Sequence, residues 1–187
     1  VRLRIPSRYP RFSGLVILGS ACLAPGVQAQ GVQPATREAY FRAVGEYFEV
    51  PLQEVTIISG WELSPDEVPV VFFLAQRAGV SPDALIGVRR GGRPWAEVAS
   101  RFGLGPRAFH IPLPDDADLG SLSRAYGEFR RRSPGDWAQV RLEDMDIVAL
   151  VNLRVLASQT GVAPLQVLRM REQAGSFLSC YPLLIRR

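Results

Sequence analysis

Glu62, Asp66 and Glu67 bring three carboxylates into one short stretch. Two such groups flanking a sugar linkage are the machinery of glycoside hydrolysis. Their setting offers a plainer role, because "SPDE" at Ser64–Glu67 has the pattern of a capping box at a helix start. Asp115, Asp116 and Asp118 supply oxygens of the kind a hard cation such as Ca²⁺ prefers. Neither EF-hand spacing nor a companion Glu follows them, so they read as a solvated acidic loop and no metal is expected. His110 is the sole histidine. A two-His metal site therefore cannot form, and any Cys–His pairing would have to recruit Cys180. G-x-S-x-G, phosphate-loop and dinucleotide fingerprints do not occur. The inventory assigns no catalytic residue and calls for no cofactor.

Arg130, Arg131 and Arg132 in "EFRRR" form one concentrated positive patch. They are the interaction candidates, able to meet an anionic envelope component or an acidic partner, although a solvated helix end would look the same. Trp61, Trp95 and Trp137 read as core or hinge-covering residues before they read as a ligand-stacking platform.

The elements that must carry these residues are helical. Tyr40, Ala43, Val44, Tyr47 and Phe48 recur at the spacing of one helix face, and so do Trp95, Val98, Ala99 and Phe102. "VPVVFFLAQRA" and "DIVALVNLRVLA" are apolar nearly all round and predict central buried helices, with a strand as the alternative for the first. Pro51, Pro82, Pro94, Pro106 and Pro164 stand at helix starts, where a missing N–H costs nothing. Ser81 is placed to cap the helix that Pro82 opens. A single turn is predicted at Ser64–Glu67, with the main helix starting near Pro69, and Gly79, Gly91, Gly92, Gly103 and Gly161 are placed to stop helices. "FHIPLPDDADLG" reads as an extended connector, "SLSRAYGEFRRR" as a short helix and "SPGDW" as a turn.

Leu74–Trp95 and Leu156–Phe177 nearly repeat one another at an offset of 82. Ala75 aligns with Ala157, Gly79 with Gly161, Pro82 with Pro164, Arg89 with Arg171 and Trp95 with Phe177. The order is helix, Gly stop, Pro start, helix, Gly turn, aromatic, which describes a helical hairpin closed by a third helix. The expected fold is all-α, with two related helical-hairpin units from an internal duplication and an irregular connector. Ala75, Gly79 and Val80 with Leu85 and Val88 also resemble a helix-turn-helix unit. That resemblance implies phosphate contacts for Arg89 and Arg90. Both equally suit the last turn of a helix, where cations complement its dipole.

Charge bears on the choice. All 22 basic residues are Arg, set against 18 acids, for a net charge of +4. Four of them (Arg2, Arg4, Arg8, Arg11) lie in residues 1–29, which hold no acid; without that segment 18 basic residues face 18 acidic ones. The clustered charge that draws a protein to nucleic acid then disappears. Residues 1–29 have the three parts of a secretory signal: a basic leader, an apolar stretch "GLVILGSACLA", and "PGVQA" with Val27 and Ala29 at the cleavage positions. The apolar stretch is shorter than the ~20 residues a bilayer span takes. The expectation is cleavage near Ala29 and a periodic-helical mature chain in the periplasm or medium, with no transmembrane helix left. Lipidation at Cys22 is the alternative, with Gly19 standing where a lipobox favours an apolar residue. Val1 reads as a GTG-encoded start. Cys180 would be the one mature cysteine, either a small apolar residue or the link of a dimer.

The organisation expected is a signal peptide at 1–29, a polar linker at 30–34, a first helical unit at 35–108, a connector with a short helix at 109–135, and a second unit at 136–187. The function expected is non-catalytic binding or scaffolding in the bacterial envelope, toward an unknown envelope component or protein and not nucleic acid. A cytoplasmic DNA-binding regulator, with the N-terminal segment a misassigned start, is the alternative. A small hydrolase is a third.

Overall fold

Prolines and glycines divide the chain into helices much as their stereochemistry demands. The computed structural model describes residues 33–186; the expected signal segment and Cys22 lie outside them. In chain order the helices are α1 (Pro34–Phe48), α2 (Leu52–Ser59), α3 (Val68–Ala78), α4 (Pro82–Arg89), α5 (Trp95–Arg101), α6 (Ser123–Arg130), α7 (Asp144–Thr160), α8 (Pro164–Ala174) and α9 (Phe177–Ile185). Short 3₁₀ turns occupy Pro65–Glu67, Pro106–Ala108, Gly120–Leu122 and Pro134–Gln139. Among the described residues there is no strand. The fold is all-α.

The apolar segment 68–78 is α3, not a strand, and its start explains why. Ser64 and Glu67 form the capping box, the turn Pro65–Glu67 follows, and α3 continues from it with Pro69 in its first turn. There the proline forfeits no intrahelical bond. Ser81 departs from expectation. It has the extended backbone of an N-cap, but its side chain makes no capping bond, and Pro82 supplies the preorganised start without it.

Helices α3 and α7 pack on each other at the centre. Val70, Val71 and Leu74 of α3 and Ile147, Leu150, Leu153 and Leu156 of α7 are fully buried, each contributing about 1.5–3 kcal/mol relative to exposure. Helix α1 packs on α7 and α9 and buries Tyr40, Phe41, Val44 and Phe48, with the Tyr40 ring against Tyr181 of α9 and the Phe48 ring against Phe72 of α3. The two expected helical units share one hydrophobic core. Among the described residues no single helix is long and apolar enough to cross a membrane; the apolarity of α7 is that of a buried central helix.

The two repeated stretches fold alike. Gly79 ends α3 with φ 67° and donates its N–H to Ala75 O; Gly161 ends α7 with φ 69° and donates to Ala157 O. Both glycines hold the left-handed conformation that a Cβ disfavours. Pro82 and Pro164 open α4 and α8, each of which buries an adjacent apolar pair, Leu85–Ile86 and Val167–Leu168. Trp95 and Phe177 then open α5 and α9, both fully buried. Arg89 lies over the Trp95 ring at 4.7 Å and Arg171 over the Phe177 ring at 5.6 Å.

The connector is irregular but tied down. Tyr126 donates its hydroxyl to Ile111 O at 2.7 Å. Arg154 of α7 donates to the carbonyls of Ala108 and His110 at 3.3 and 3.0 Å. These bonds satisfy carbonyls that no helix or sheet would pair. They also fix the segment that lines the candidate site.

Candidate binding site

The three carboxylates near residue 65 diverge. Asp66 turns toward α9 and accepts the backbone N–H groups of Phe177 and Leu178, each at 2.9 Å. Burial pushes its carboxyl up, and those two N–H bonds pull the other way. Glu67 turns the opposite way and accepts from Arg89 at 2.6 Å and from the Trp95 indole at 2.9 Å. Burial also works to raise Glu67, but Arg89 and the donors from Ser64 and Trp95 outweigh it and hold the carboxyl below its ordinary value. A general acid needs a proton near neutral pH, and Glu67 is held in the opposite state. Glu62 is exposed, has a positive φ of 59°, and lines an open polar pocket with Glu67, Arg89 and Asp144.

Arg89, aligned above with a phosphate-contacting position, is held within the chain. It donates to Glu67 and pairs with Asp144 at 2.7 Å. Arg90 lies over the Trp61 ring at 5.6 Å. The expected acidic loop is exposed at Asp115, which pairs with Arg130, while Asp118 accepts the Gly120 N–H. Among the described residues no group of three or more His, Cys, Asp or Glu side chains could hold a metal ion.

His110 sits in an aromatic cluster, its ring centroid 4.2 Å from Trp137 and 4.9 Å from Phe129. Burial first, then the Arg154 charge, lowers its pKa. Cys180 is buried in α9 with its thiol against Phe177 O, and burial pushes it up to about 12. A buried protonated thiol is a packing group, not a nucleophile.

The arginine patch is partly self-neutralised. Arg130 reaches back to Pro114 O and Asp115, while Arg131 and Arg132 share Glu128. Only Arg132 of the three lines the cleft next door, which it shares with Arg124, Glu128, Gln139 and Arg141, a space of about 530 Å³. Arg124 there is paired with Asp146 and Glu143.

Arg141 also lines a second space of about 450 Å³, and this one is apolar. Its walls are Leu104, Phe109, Val140, Leu142 and Ile147, with Ala96 and Ser100 of α5 at one side. The wall between the two spaces runs from the end of the Pro134–Gln139 turn to Leu142. Ala138, Val140 and Leu142 line the apolar cavity, and Gln139 lines the arginine cleft. From Val140, with ψ 135°, the backbone is extended and successive side chains point to opposite sides, which sets Arg141 on the cleft side of Val140 and Leu142. Arg141 lies along the rim and contributes to both spaces. Its guanidinium has no hydrogen-bond or ion-pair partner among the described residues.

Reading the sequence for charge runs found Arg132 but missed Arg124 and Arg141, which stand alone in the chain. The available signal was "AQVRL", an alternation of apolar and polar residues in a protein otherwise built on helical periods. The repeat positions Ala75, Gly79, Pro82, Ala157, Gly161 and Pro164 serve helix geometry and lie outside this cavity. No known protein family, curated protein or solved structure matches the chain.

Proposed function

We propose that the chain is an exported, non-catalytic binding protein of the bacterial envelope, built on two helical hairpins of common origin, and that its ligand enters the groove between α5, the connector and the start of α7. The observation that carries this reading is the apolar cavity of about 450 Å³ bounded by the rim residue Arg141. Its size falls in the range of ligand sites, which are mostly apolar concavities with a few placed polar groups. The conspicuous acids have other work: Asp66, Glu67 and Asp144 hold helix ends and Arg89, and Asp146 receives Arg124. Export is supported by the three-part leader at 1–29 and by the balanced charge of the rest.

Two measurements test it. In a bacterial host, a periplasmic product beginning at Gln30 supports export, and an uncleaved cytoplasmic product refutes it. In solution, an uncharged apolar probe such as dodecanol is expected to bind one site saturably. Ala138→Trp, which places a ring at the mouth, is expected to block it. Absence of saturable binding removes the groove from the proposal.

A further inference from the structure

We infer that the groove takes a fatty carboxylate, with its alkyl chain in the apolar cavity and its carboxylate on the Arg141 guanidinium. This deepens the reading of the groove as a binding site and depends on it.

The two spaces differ in chemistry and meet at one residue, Arg141. The cavity side offers Leu104, Phe109, Val140, Leu142 and Ile147, all apolar. The cleft side offers three guanidinium groups, one carboxylate and one amide. A ligand complementary to both must carry an apolar body and an anionic end. A neutral hydrocarbon would leave Arg141 idle, and a polar anion would leave the cavity unfilled.

The state of each arginine narrows the head group. Arg124 is already bonded to Asp146 and Glu143, and Arg132 to Glu128. Arg141 alone of the three brings an uncompensated charge to the rim. One free guanidinium matches one negative charge, and its paired N–H groups fit the two oxygens of a carboxylate. A dianionic phosphate would call for a second free cation. Arg141 also suits an amphiphile through its stem, since the methylenes of an arginine lie along apolar surface while the head stays in water.

Titration calorimetry on the intact chain, at ligand concentrations below micelle formation, tests the inference with laurate, dodecanol and dodecyl phosphate as probes. Laurate is expected to bind with one-to-one stoichiometry, about tenfold tighter than dodecanol, as one charge-assisted bond implies. Shortening the carboxylate is expected to weaken binding by roughly fourfold per methylene removed. Arg141→Met keeps an apolar stem and removes the charge. It is expected to lower laurate affinity to that of dodecanol and leave dodecanol unchanged, with urea denaturation confirming that the variant folds. Equal affinity for laurate and dodecanol, or an unaltered laurate affinity in Arg141→Met, would overturn the carboxylate assignment while leaving the groove a site. Dodecyl phosphate binding tenfold tighter than laurate would overturn it in favour of a phosphate head. If no probe binds, the groove reading itself fails and the inference falls with it.

Discussion

Asp66 accepts the backbone N–H of Phe177, 111 residues further along the chain, at 2.9 Å. The counterpart at the other hairpin is Asp144, at the start of α7, which accepts the backbone N–H of Trp95 at 2.6 Å. The acid next to the first helix of each hairpin therefore caps the third helix of the other. Helix starts carry unpaired N–H groups and a partial positive charge, and here each is satisfied from across the molecule. The exchange ties the two hairpins into one cooperative structure. Asn152 extends it by donating to Asp66 O at 2.7 Å while receiving the buried Tyr40 hydroxyl, which joins α1.

Asp66→Ala is expected to cost about 1–3 kcal/mol, because two N–H groups at the start of α9 lose their acceptor. Asp66→Asn keeps one acceptor and is expected to lose less. Urea denaturation of both variants measures this, and an Asp66→Ala loss below about 0.5 kcal/mol would show that solvent replaces the cap.

Arg89→Ala removes the shared partner of Glu67 and Asp144 and uncovers the Trp95 ring. Its side chain is 19% exposed, so the pairs are worth more than surface ones. A loss of roughly 1–3 kcal/mol is expected. Arg89→Lys, a point charge without the planar fork, is expected to recover only part of it. Full recovery by lysine would mean that charge alone, without geometry, holds the acids.

Gly120→Ala would set its Cβ on the Glu172 carboxylate, which accepts the Ser121 N–H at 2.8 Å, and Gly120 has φ 47°. Both the overlap and the left-handed backbone oppose the substitution. The expected destabilisation is about 1–3 kcal/mol. Adding Glu172→Ala is expected to relieve the overlap and leave the backbone part, and a double-mutant cycle reads the difference. Additive losses would show that Glu172 moves aside freely.

Stability is expected to fall as pH drops below 6.5 through the titration of His110. Its folded pKa lies below the ordinary 6.5, first through burial and then through the Arg154 charge. Above 6.5 the ring is neutral in both states and its full contribution is present. Below 6.5 the unfolded chain takes the proton first, so stability declines until pH reaches the folded value. His110→Phe removes this component. Denaturation midpoints at pH 7.5 and 5 would show a smaller decline in the variant, and an identical decline would assign the effect to carboxylates.

Cys180, buried and pushed up to about 12, is expected to resist thiol reagents in the folded chain and to react fully in denaturant. A native labelling rate equal to that of a free thiol, or a disulfide dimer under mild oxidation, would show that α9 opens readily and would support a link through Cys180.

The capping box at Ser64–Glu67 and the aligned prolines and glycines could be read directly, because they act on backbone within a turn of themselves. Ser81 shows the limit of that reading: an N-cap residue is necessary for a capping bond but does not compel one when Pro82 already sets the backbone. Asp66 and Glu67, neighbours in one motif, illustrate a stronger limit. The sequence placed both at a helix start, whereas their directions depend on which distant groups the core delivers, Phe177 for one and Arg89 for the other.

The sequence by itself determined the all-α class, the proline starts, the glycine stops at Gly79 and Gly161 and the likeness of the two hairpins, since φ restriction and helical periodicity are local properties. The tertiary structure decided which acid caps which helix, and that Arg141, not the run at Arg130–Arg132, holds the rim of an apolar cavity. Those outcomes depend on how apolar faces pack across long separations, and an arginine's freedom depends on whether folding brings a carboxylate to it.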